Sequence, residues 1–310
     1  LSTCTRPLLS LHGLHLARSG RGEIDRRVGA VMLARGGAGE AGVPFFSIAG
    51  SDSSGGAGIQ ADIRTMERLG VTSAFALTSV TAQSPRGVDR IDSIDPASVR
   101  AQLSTALEDQ GACAIKIGMA GSAESIRTIA NVLPSADIFT VCDPVVSSSS
   151  GGRLIDAPGQ DVLVRELFPH AHLVTPNLAE AEAILGQPVS TDEEMENAAS
   201  SLLETGTRSV LIKGGHRDGP FAQDYWTDGS EAFWMTGHRV EGSGSRGTGC
   251  VLSTAIASFH ALGLPLKDAM VLAKAYVSEG LGAAAGHGSG NRPVRTGEWL
   301  SLIHISEPTR

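Results

Sequence analysis

From residue 45 to residue 284 the chain alternates short β-rich apolar runs with longer segments whose apolar residues recur every three or four positions. A two-residue period belongs to strands and a 3.6-residue period to helices, so this pattern predicts strand–helix alternation. Strands are expected at Phe45–Gly50, Thr72–Thr81, Ala114–Met119, Asp137–Val146, His172–Thr175 and Ser209–Lys213. Helices are expected over Ala57–Leu69, Pro96–Gln110, Ser122–Leu133 and Leu178–Leu185, with Leu163–Leu167 inside another. In the first of these, Ile59, Ile63, Met66 and Leu69 fall three or four apart. Thr191 followed three residues later by Glu194 reads as a capping box for the next helix. Asp228-Gly229 between two alternating runs reads as the turn of a hairpin over Asp224–Arg239. Two long helices, Thr248–Leu262 and Leu266–Ala284, close the pattern. Short buried strands between helices of 10–15 residues imply an α/β fold with a mostly parallel sheet covered on both faces. Ligands of such sheets bind beyond the carboxyl ends of the strands.

Residues 43–290 carry this pattern; the flanks do not. Residues 1–42 are Arg-rich with no helix or strand period, and the first Met is Met32. They are read as an irregular, disordered arm foreign to the domain, a transit peptide being the other reading. Residues 291–310 form an irregular tail that is given no function. A formal net charge of -8 argues against a nucleic-acid partner. No apolar run reaches the ~18 residues that span a bilayer, so no membrane partner is expected. None of the cysteines forms a C-x-x-C pair, which disfavours a zinc ribbon. Cys113 and Cys142 lie in apolar runs and are expected in the core of a protein of a reducing, cytoplasmic compartment.

Three stretches at expected strand ends can carry chemistry. Gly50-Ser51-Asp52-Ser53-Ser54-Gly55-Gly56-Ala57-Gly58 leads from a strand into a helix. Its glycines let backbone N–H groups approach a ligand, and the helix adds a positive end. A plain strand–helix turn is the alternative. Gly242-Ser243-Gly244-Ser245-Arg246-Gly247-Thr248-Gly249-Cys250 also opens a helix. It matches G-x-G-x-x-G, but Asp268 about 20 residues on begins a helix rather than ending a strand, which disfavours a dinucleotide site and an NAD oxidoreductase. The amides of Gly247, Thr248 and Gly249 are then expected to cradle a phosphate, with Arg246 as a charge beside it. Cys250 in the first helical turn is expected to favour its thiolate and to act as a base on a substrate hydroxyl. The alternative is a small buried hydrophobe.

Thr175-Pro176-Asn177-Leu178-Ala179-Glu180 puts an amide and a carboxylate on one face of a helix start. Together with Asp143 at another strand end, they could hold a hydrated Mg²⁺, which needs one or two carboxylates plus phosphates. A capping Asn with a Glu favouring the helix dipole is the other reading. Lys213, in Lys213-Gly214-Gly215-His216, follows an apolar run and could reach a nucleotide phosphate. No G-x-x-x-x-G-K-[ST], H-E-x-x-H or G-x-S-x-G occurs, which removes the signatures of P-loop enzymes, zinc proteases and α/β-hydrolases.

In order along residues 44–285, these motifs resemble the ribokinase-like family, and within it the bacterial hydroxymethylpyrimidine/phosphomethylpyrimidine kinases. The resemblance is carried by Ala49-Gly50-Ser51-Asp52 with Ser54 to Asp62, Thr81-Ala82-Gln83, Lys116-Ile117-Gly118-Met119, Asp143-Pro144-Val145, Thr175 to Glu180, Lys213 to His216, and Gly247-Thr248-Gly249-Cys250. It implies a ribokinase-like three-layer sandwich and ATP-dependent, Mg²⁺-assisted phosphorylation of 4-amino-5-hydroxymethyl-2-methylpyrimidine, then of its monophosphate, in thiamine biosynthesis. It places the substrate against Gly50, Asp52, Ala57, Asp62, Gln83, Met119 and Val145. A Gln amide offers one donor and one acceptor to the amino-pyrimidine edge, as it does when reading adenine. The nucleotide falls to Lys213, Asn177 and Arg246, the metal to Glu180 and Asp143, and the reacting centre to Cys250 with Gly247, Thr248 and Gly249. The resemblance also implies a homodimer.

The chain departs from the family pattern in three places. Arg246 stands where His is common, Ser84-Pro85 replaces Asn-Thr after Gln83, and Ser147–Ser150 replaces a Lys-containing loop. Two other functions compete: a pyridoxal/pyridoxine kinase of the same fold, and a non-catalytic pyrimidine-binding sensor.

Overall fold

The computed structural model describes residues 8–9, 43–110, 112–133, 138–146, 154–215, 217–240, 245–285 and 292–294. Within them a ten-stranded sheet runs in the order β1-β10-β9-β8-β7-β6-β5-β2-β3-β4. Its strands are β1 (Leu8–Leu9), β2 (Val43–Asp52), β3 (Val71–Ser84), β4 (Gly87–Ser93), β5 (Ala114–Ile117), β6 (Phe139–Cys142), β7 (Leu173–Val174), β8 (Val210–Lys213), β9 (Phe221–Thr227) and β10 (Ala232–His238). From β3 through β2, β5, β6 and β7 to β8 every pairing is parallel. Antiparallel strands β4 and β9–β10 extend the two sides. A further pair, β11 (Ser245–Arg246) with β12 (Arg292–Pro293), lies outside the sheet.

Eight helices among the described residues are α1 (Gly58–Arg68), α2 (Pro96–Gln110), α3 (Ala123–Val132), α4 (Ala157–Val162), α5 (Leu178–Leu185), α6 (Asp192–Leu203), α7 (Thr248–Ala261) and α8 (Leu266–Ala285). They form two layers, because the sheet has a hydrophobic cluster on each face. One cluster joins Phe45, Val141 and Leu211 to α1, α7 and α8 through Met66, Phe259 and Tyr276. The other joins Phe46, Ile117 and Ile212 to α2, α3 and α6 through Leu103, Ile126 and Leu202. Adjacent strand residues thus point into opposite cores, and the central strands read as continuous apolar runs.

The α/β architecture expected from sequence is present, with two additions and two corrections. The chain reverses after β3 into β4, a hairpin the alternation did not predict, and β3 runs on to Ser84 with a bulge between Ala82 and Gln83. The segment Leu163–Leu167 is a π-turn rather than regular α-helix. Cys142 is buried as expected, but Cys113 is exposed. It precedes β5, and only its backbone N–H, bonded to Pro44 O at 2.9 Å, joins the sheet. The Ser147–Ser150 loop, His216, Gly242 and Gly244, residues 10–42 and residues 295–310 lie outside the described residues.

Candidate active site

The carboxyl ends of β2, β5, β6 and β8 converge on the amino ends of α1, α5 and α7, and each glycine-rich stretch lies in that gap. Asp52 closes β2 and is buried. Its Oδ1 accepts from the Ser54 N–H at 2.9 Å and hydroxyl at 2.8 Å, and its Oδ2 from the N–H groups of Gly56 at 3.0 Å and Ala57 at 2.9 Å. Arg246 completes the knot, with Nη2 on Asp52 Oδ2 at 2.9 Å and Nη1 on Ser54 Oγ at 2.8 Å. Only 3% of Arg246 is exposed, so its charge holds the two glycine-rich loops together and is not offered to a phosphate. This revises the expectation for Arg246, and for Asp52 as a substrate contact: both are loop-building residues.

The loops approach closely because two glycines permit it. Gly247 has φ +78°, and a β-carbon there would run into the Gly56 carbonyl. Gly58 has φ +58°, and a β-carbon there would strike the Gly50 carbonyl. Gly247 also caps α7, leaving Thr248, Gly249 and Cys250 as its first turn with their N–H groups unpaired inside the helix. A β-carbon on Gly249 would sit 3.1 Å from Lys213 Nζ and 3.3 Å from Asp143 Oδ2, so the cradle lies directly over that pair.

Cys250 is half-buried in the first turn of α7 and packs against the apolar cluster on that face of the sheet. Its expected thiolate character is not what the surroundings favour. Burial pushes the thiol up to about 11; Lys116 opposes this, while Asp62 and Asp143 add to it. The resting sulfur carries its proton because three of the four strongest influences disfavour charge.

Gln83 projects from the bulged end of β3. Its backbone is tied to the first glycine loop by Ser53 Oγ, which receives the Gln83 N–H at 2.9 Å and donates to the Gln83 carbonyl at 3.1 Å. Gln83 Oε1 lies 3.1 Å from the Thr81 hydroxyl. Met119 packs against Gly50, where a β-carbon would meet its sulfur at 2.9 Å. Val145 is half-buried next to Asp143. A cavity of about 310 Å³ lies beside Met119, lined also by Ile91, Ser93, Leu154 and Ile155. It flanks the site, since Met119 alone of the expected substrate residues lines it.

The metal and nucleotide residues gather around Lys213. Its Nζ donates to Asp143 Oδ1 at 2.6 Å and lies 3.9 Å from Glu180 Oε2. Thr175 Oγ1 reaches Asp143 Oδ1 at 3.1 Å. Asn177 and Glu180 form a reciprocal capping box: Asn177 Oδ1 accepts from the Glu180 N–H at 2.9 Å, and Glu180 Oε2 from the Asn177 N–H at 2.7 Å. The capping reading of this pair is therefore realised. Burial raises the Glu180 carboxyl to about 7 against the pull of Lys213, with Asp143 adding to the rise. Two carboxylates, a lysine and an amide cradle fit a Mg²⁺–nucleotide. Among the described residues no group of three or more His, Cys, Asp or Glu could hold a metal unaided. A Mg²⁺ held there would take waters and phosphate oxygens as its further ligands.

Asp62, expected at the substrate, instead lies fully buried beneath Cys250. Its Oδ2 accepts from Lys116 Nζ at 2.7 Å and Ser47 Oγ at 2.7 Å, and its Oδ1 from Thr254 Oγ1 at 2.9 Å. In the sequence Lys116 stands only within the motif Lys116-Ile117-Gly118-Met119. The signal that marks it is a lysine inside the continuous apolar run Ala114-Ile115-Lys116-Ile117, where a charge requires a partner.

Residues 52–295 match the model of the phosphomethylpyrimidine kinase family. A hydroxymethylpyrimidine/phosphomethylpyrimidine kinase of Rhizobium meliloti is 42% identical over 240 residues, covering 77% of this chain and 90% of that protein. A thiamine biosynthesis bifunctional protein of Geobacter sulfurreducens is 41% identical, over 80% of this chain and 51% of its own length. The crystal structure of a phosphomethylpyrimidine kinase from Clostridium difficile superposes with a TM-score of 0.67 at 36% identity, covering 76% of this chain and 98% of that one. A Staphylococcus aureus pyridoxal kinase in complex with AMP-PCP and pyridoxal superposes with a TM-score of 0.77 at 30% identity, covering 85% and 96%.

Proposed function

Because the chain belongs to the phosphomethylpyrimidine kinase family, we propose a division of labour for its two phosphoryl transfers. The chain is a ribokinase-like kinase of hydroxymethylpyrimidine and its monophosphate, in thiamine biosynthesis. Its fold alone does not separate the pyrimidine from pyridoxal, since pyridoxal kinases share it. What favours the pyrimidine is the Gln83 amide, held over the first glycine loop by Ser53, which matches an amino group beside a ring nitrogen.

ATP is the phosphoryl donor in this reading, supported by the nucleotide analogue in a related structure. Lys213 and the Gly247–Gly249 amides receive its phosphates. Mg²⁺, held by Asp143 and Glu180, would supply charge neutralisation for them. Phosphoryl transfer depends mainly on positioning and electrostatic stabilisation, which preorganised amides and a lysine provide.

In the first transfer the alcohol O–H bond breaks and its proton passes to the ionised Cys250 sulfur. The alcohol oxygen bonds to the γ-phosphorus, and the bond to the bridging oxygen breaks, releasing ADP. In the second transfer the acceptor is a phosphate monoester, whose second pKa is about 6, so it reaches neutral pH with no proton to remove. The base is needed in one step only. The observation that carries this reading is the place of Cys250 in the first turn of α7, the same turn whose amides form the cradle over Lys213 and Asp143.

The test is Cys250→Ala, assayed by product mass with each acceptor. Phosphorylation of the alcohol is expected to fall by about 10²–10⁴, the range of a general base, while phosphorylation of the monophosphate falls far less. Equal losses on both acceptors would show that the sulfur is not a base. Turnover of pyridoxal in place of the pyrimidine would instead favour the second reading. A homodimer belongs to the same proposal, supported by exposed Phe75, Val80 and Ile91 along β3–β4. A cytoplasmic location and a domain over residues 43–290 also belong to it. No helix among the described residues is long and apolar enough to cross a membrane.

A further inference from the structure

Lys116 and Asp62 are buried to the last atom, with side-chain exposures of 0% and 0%, and the reaction as derived above uses neither. An ion pair sealed this way adds little net stability, because desolvation offsets the attraction. Its place in the fold is therefore informative. Asp62 is gripped by Ser47 of β2, Lys116 of β5 and Thr254 of α7. Thr254 lies four residues after Cys250, so hydroxyl and sulfur share one face of that helix. The lysine head has room because residue 118 is glycine: a β-carbon there would stand 2.6 Å from Lys116 Nζ. Asp62 is its one hydrogen-bonding partner among the described residues. An ammonium with three protons thus shares its one carboxylate with Thr254, one helical turn from the thiol.

We propose that Lys116 is a positioning residue for the first transfer: its buried ammonium, fixed in place by Asp62, stabilises the ionised sulfur of Cys250 that accepts the alcohol proton. The inference rests on the reading of Cys250 as that acceptor. Before the reaction the thiol S–H proton leaves to solvent; during it the alcohol proton replaces it on sulfur. The charged groups that act on the sulfur are Lys116 from β5, Asp62 from α1, Asp143 after β6 and Lys213 from β8. Lys116 is the strongest of them on the thiol and favours its ionised form, against the two carboxylates. A charge held in a buried site acts far more strongly than it does at the surface.

The test follows the rate at which iodoacetamide labels Cys250 at pH 8.5, read by mass spectrometry of its peptide, since only the thiolate reacts. Lys116→Met is expected to slow labelling at least tenfold and to slow alcohol phosphorylation comparably, with KM for the pyrimidine unchanged and the monophosphate step nearly unaffected. A merely structural lysine would do the opposite, because loosening the site exposes the thiol and speeds labelling. Lys116→Met leaves Asp62 charged and unpaired, so the neutral pair Lys116→Met/Asp62→Asn is measured with it. There labelling is expected to slow severalfold, since the carboxylate that opposed ionisation is gone too. Unchanged or faster labelling in the neutral pair overturns the proposal. Slower labelling with undiminished alcohol phosphorylation instead overturns the base role of Cys250 on which it rests.

Discussion

Two helices of this protein begin with the same device in opposite surroundings. At α5, Asn177 and Glu180 cap each other; at α6, Thr191 and Glu194 do the same. Both glutamates accept the N–H of the residue three positions earlier, at 2.7 Å and 2.8 Å. Yet burial raises the Glu180 carboxyl to about 7, whereas backbone and hydroxyl donors from Thr191 and Ser190 lower that of Glu194 to about 2. The local hydrogen bonds favour ionisation in both. What differs is the third dimension: Glu180 faces Asp143 and Lys213 at the carboxyl end of the sheet, and Glu194 faces water. A capping motif alone therefore says that a helix starts, not that a carboxylate is available for chemistry.

Glu180→Gln tests that difference most severely. The glutamine carbonyl can still accept the Asn177 N–H, so the cap survives while the negative charge is lost. Turnover of the pyrimidine alcohol with ATP and Mg²⁺ is expected to fall by about 10²–10³, the usual cost of removing one preorganised electrostatic group. The melting temperature should hold or rise, because a buried carboxyl has been replaced by a neutral amide. Wild-type turnover in this variant would make Glu180 no more than a cap, and the comparison would collapse.

A finer contrast lies in how the two glutamates make stability depend on pH. The folded state raises the Glu180 pKa above its ordinary 4.5, so it binds a proton the unfolded chain has already lost. Its contribution is complete below about pH 4.5 and is lost as the pH rises through about 7. The folded state lowers the Glu194 pKa, so its contribution is present above about 4.5 and is lost as the pH falls towards about 2. Urea unfolding between pH 3 and 8 should therefore show Glu180→Gln flattening the neutral side of the profile and Glu194→Gln flattening the acid side. The same change of slope in both variants would mean that burial does not separate them.

Most of the fold was legible because its signals are local. Periodicity marked the central strands, and Thr191 with Glu194 marked a helix start. The β3–β4 hairpin escaped because β4 has mostly exposed residues and lacks an apolar face. Within the site, the motif residues stood out by type, but their partners did not. Asp52 and Arg246 are 194 positions apart, and Asp62 and Lys116 are 54 apart, so no spacing links them. Arg246 next to a glycine cradle reads as a phosphate ligand until its carboxylate partner is found. Cys250 reads as a thiolate from its helix position alone; packing against the apolar core on one side and Asp62 on the other reverses the balance.

The mildest variant completes the comparison at its exposed end. Thr191 Oγ1 receives the Glu194 N–H at 3.2 Å, and Glu194 Oε2 gathers the N–H groups of Ser190 at 2.7 Å and Thr191 at 2.8 Å. Thr191→Ala removes one of these bonds and leaves the others. An exposed cap lost this way costs about 1 kcal/mol, measurable as a small shift in the urea midpoint with an unchanged slope. Although α6 begins near Gly214 and Arg217, the Thr191 and Glu194 side chains are hydrogen-bonded to each other's backbone and to Ser190 and not to Lys213, Asp143 or Glu180, so kcat and KM for both acceptors should stay at wild-type values. The corresponding Asn177→Ala should lose comparable stability but also raise KM for ATP, since Glu180 and the neighbouring Asp143–Lys213 pair depend on how α5 begins. If both variants changed stability alone, the buried box would be as inert as the exposed one, and proximity to Lys213 would have no consequence for nucleotide binding.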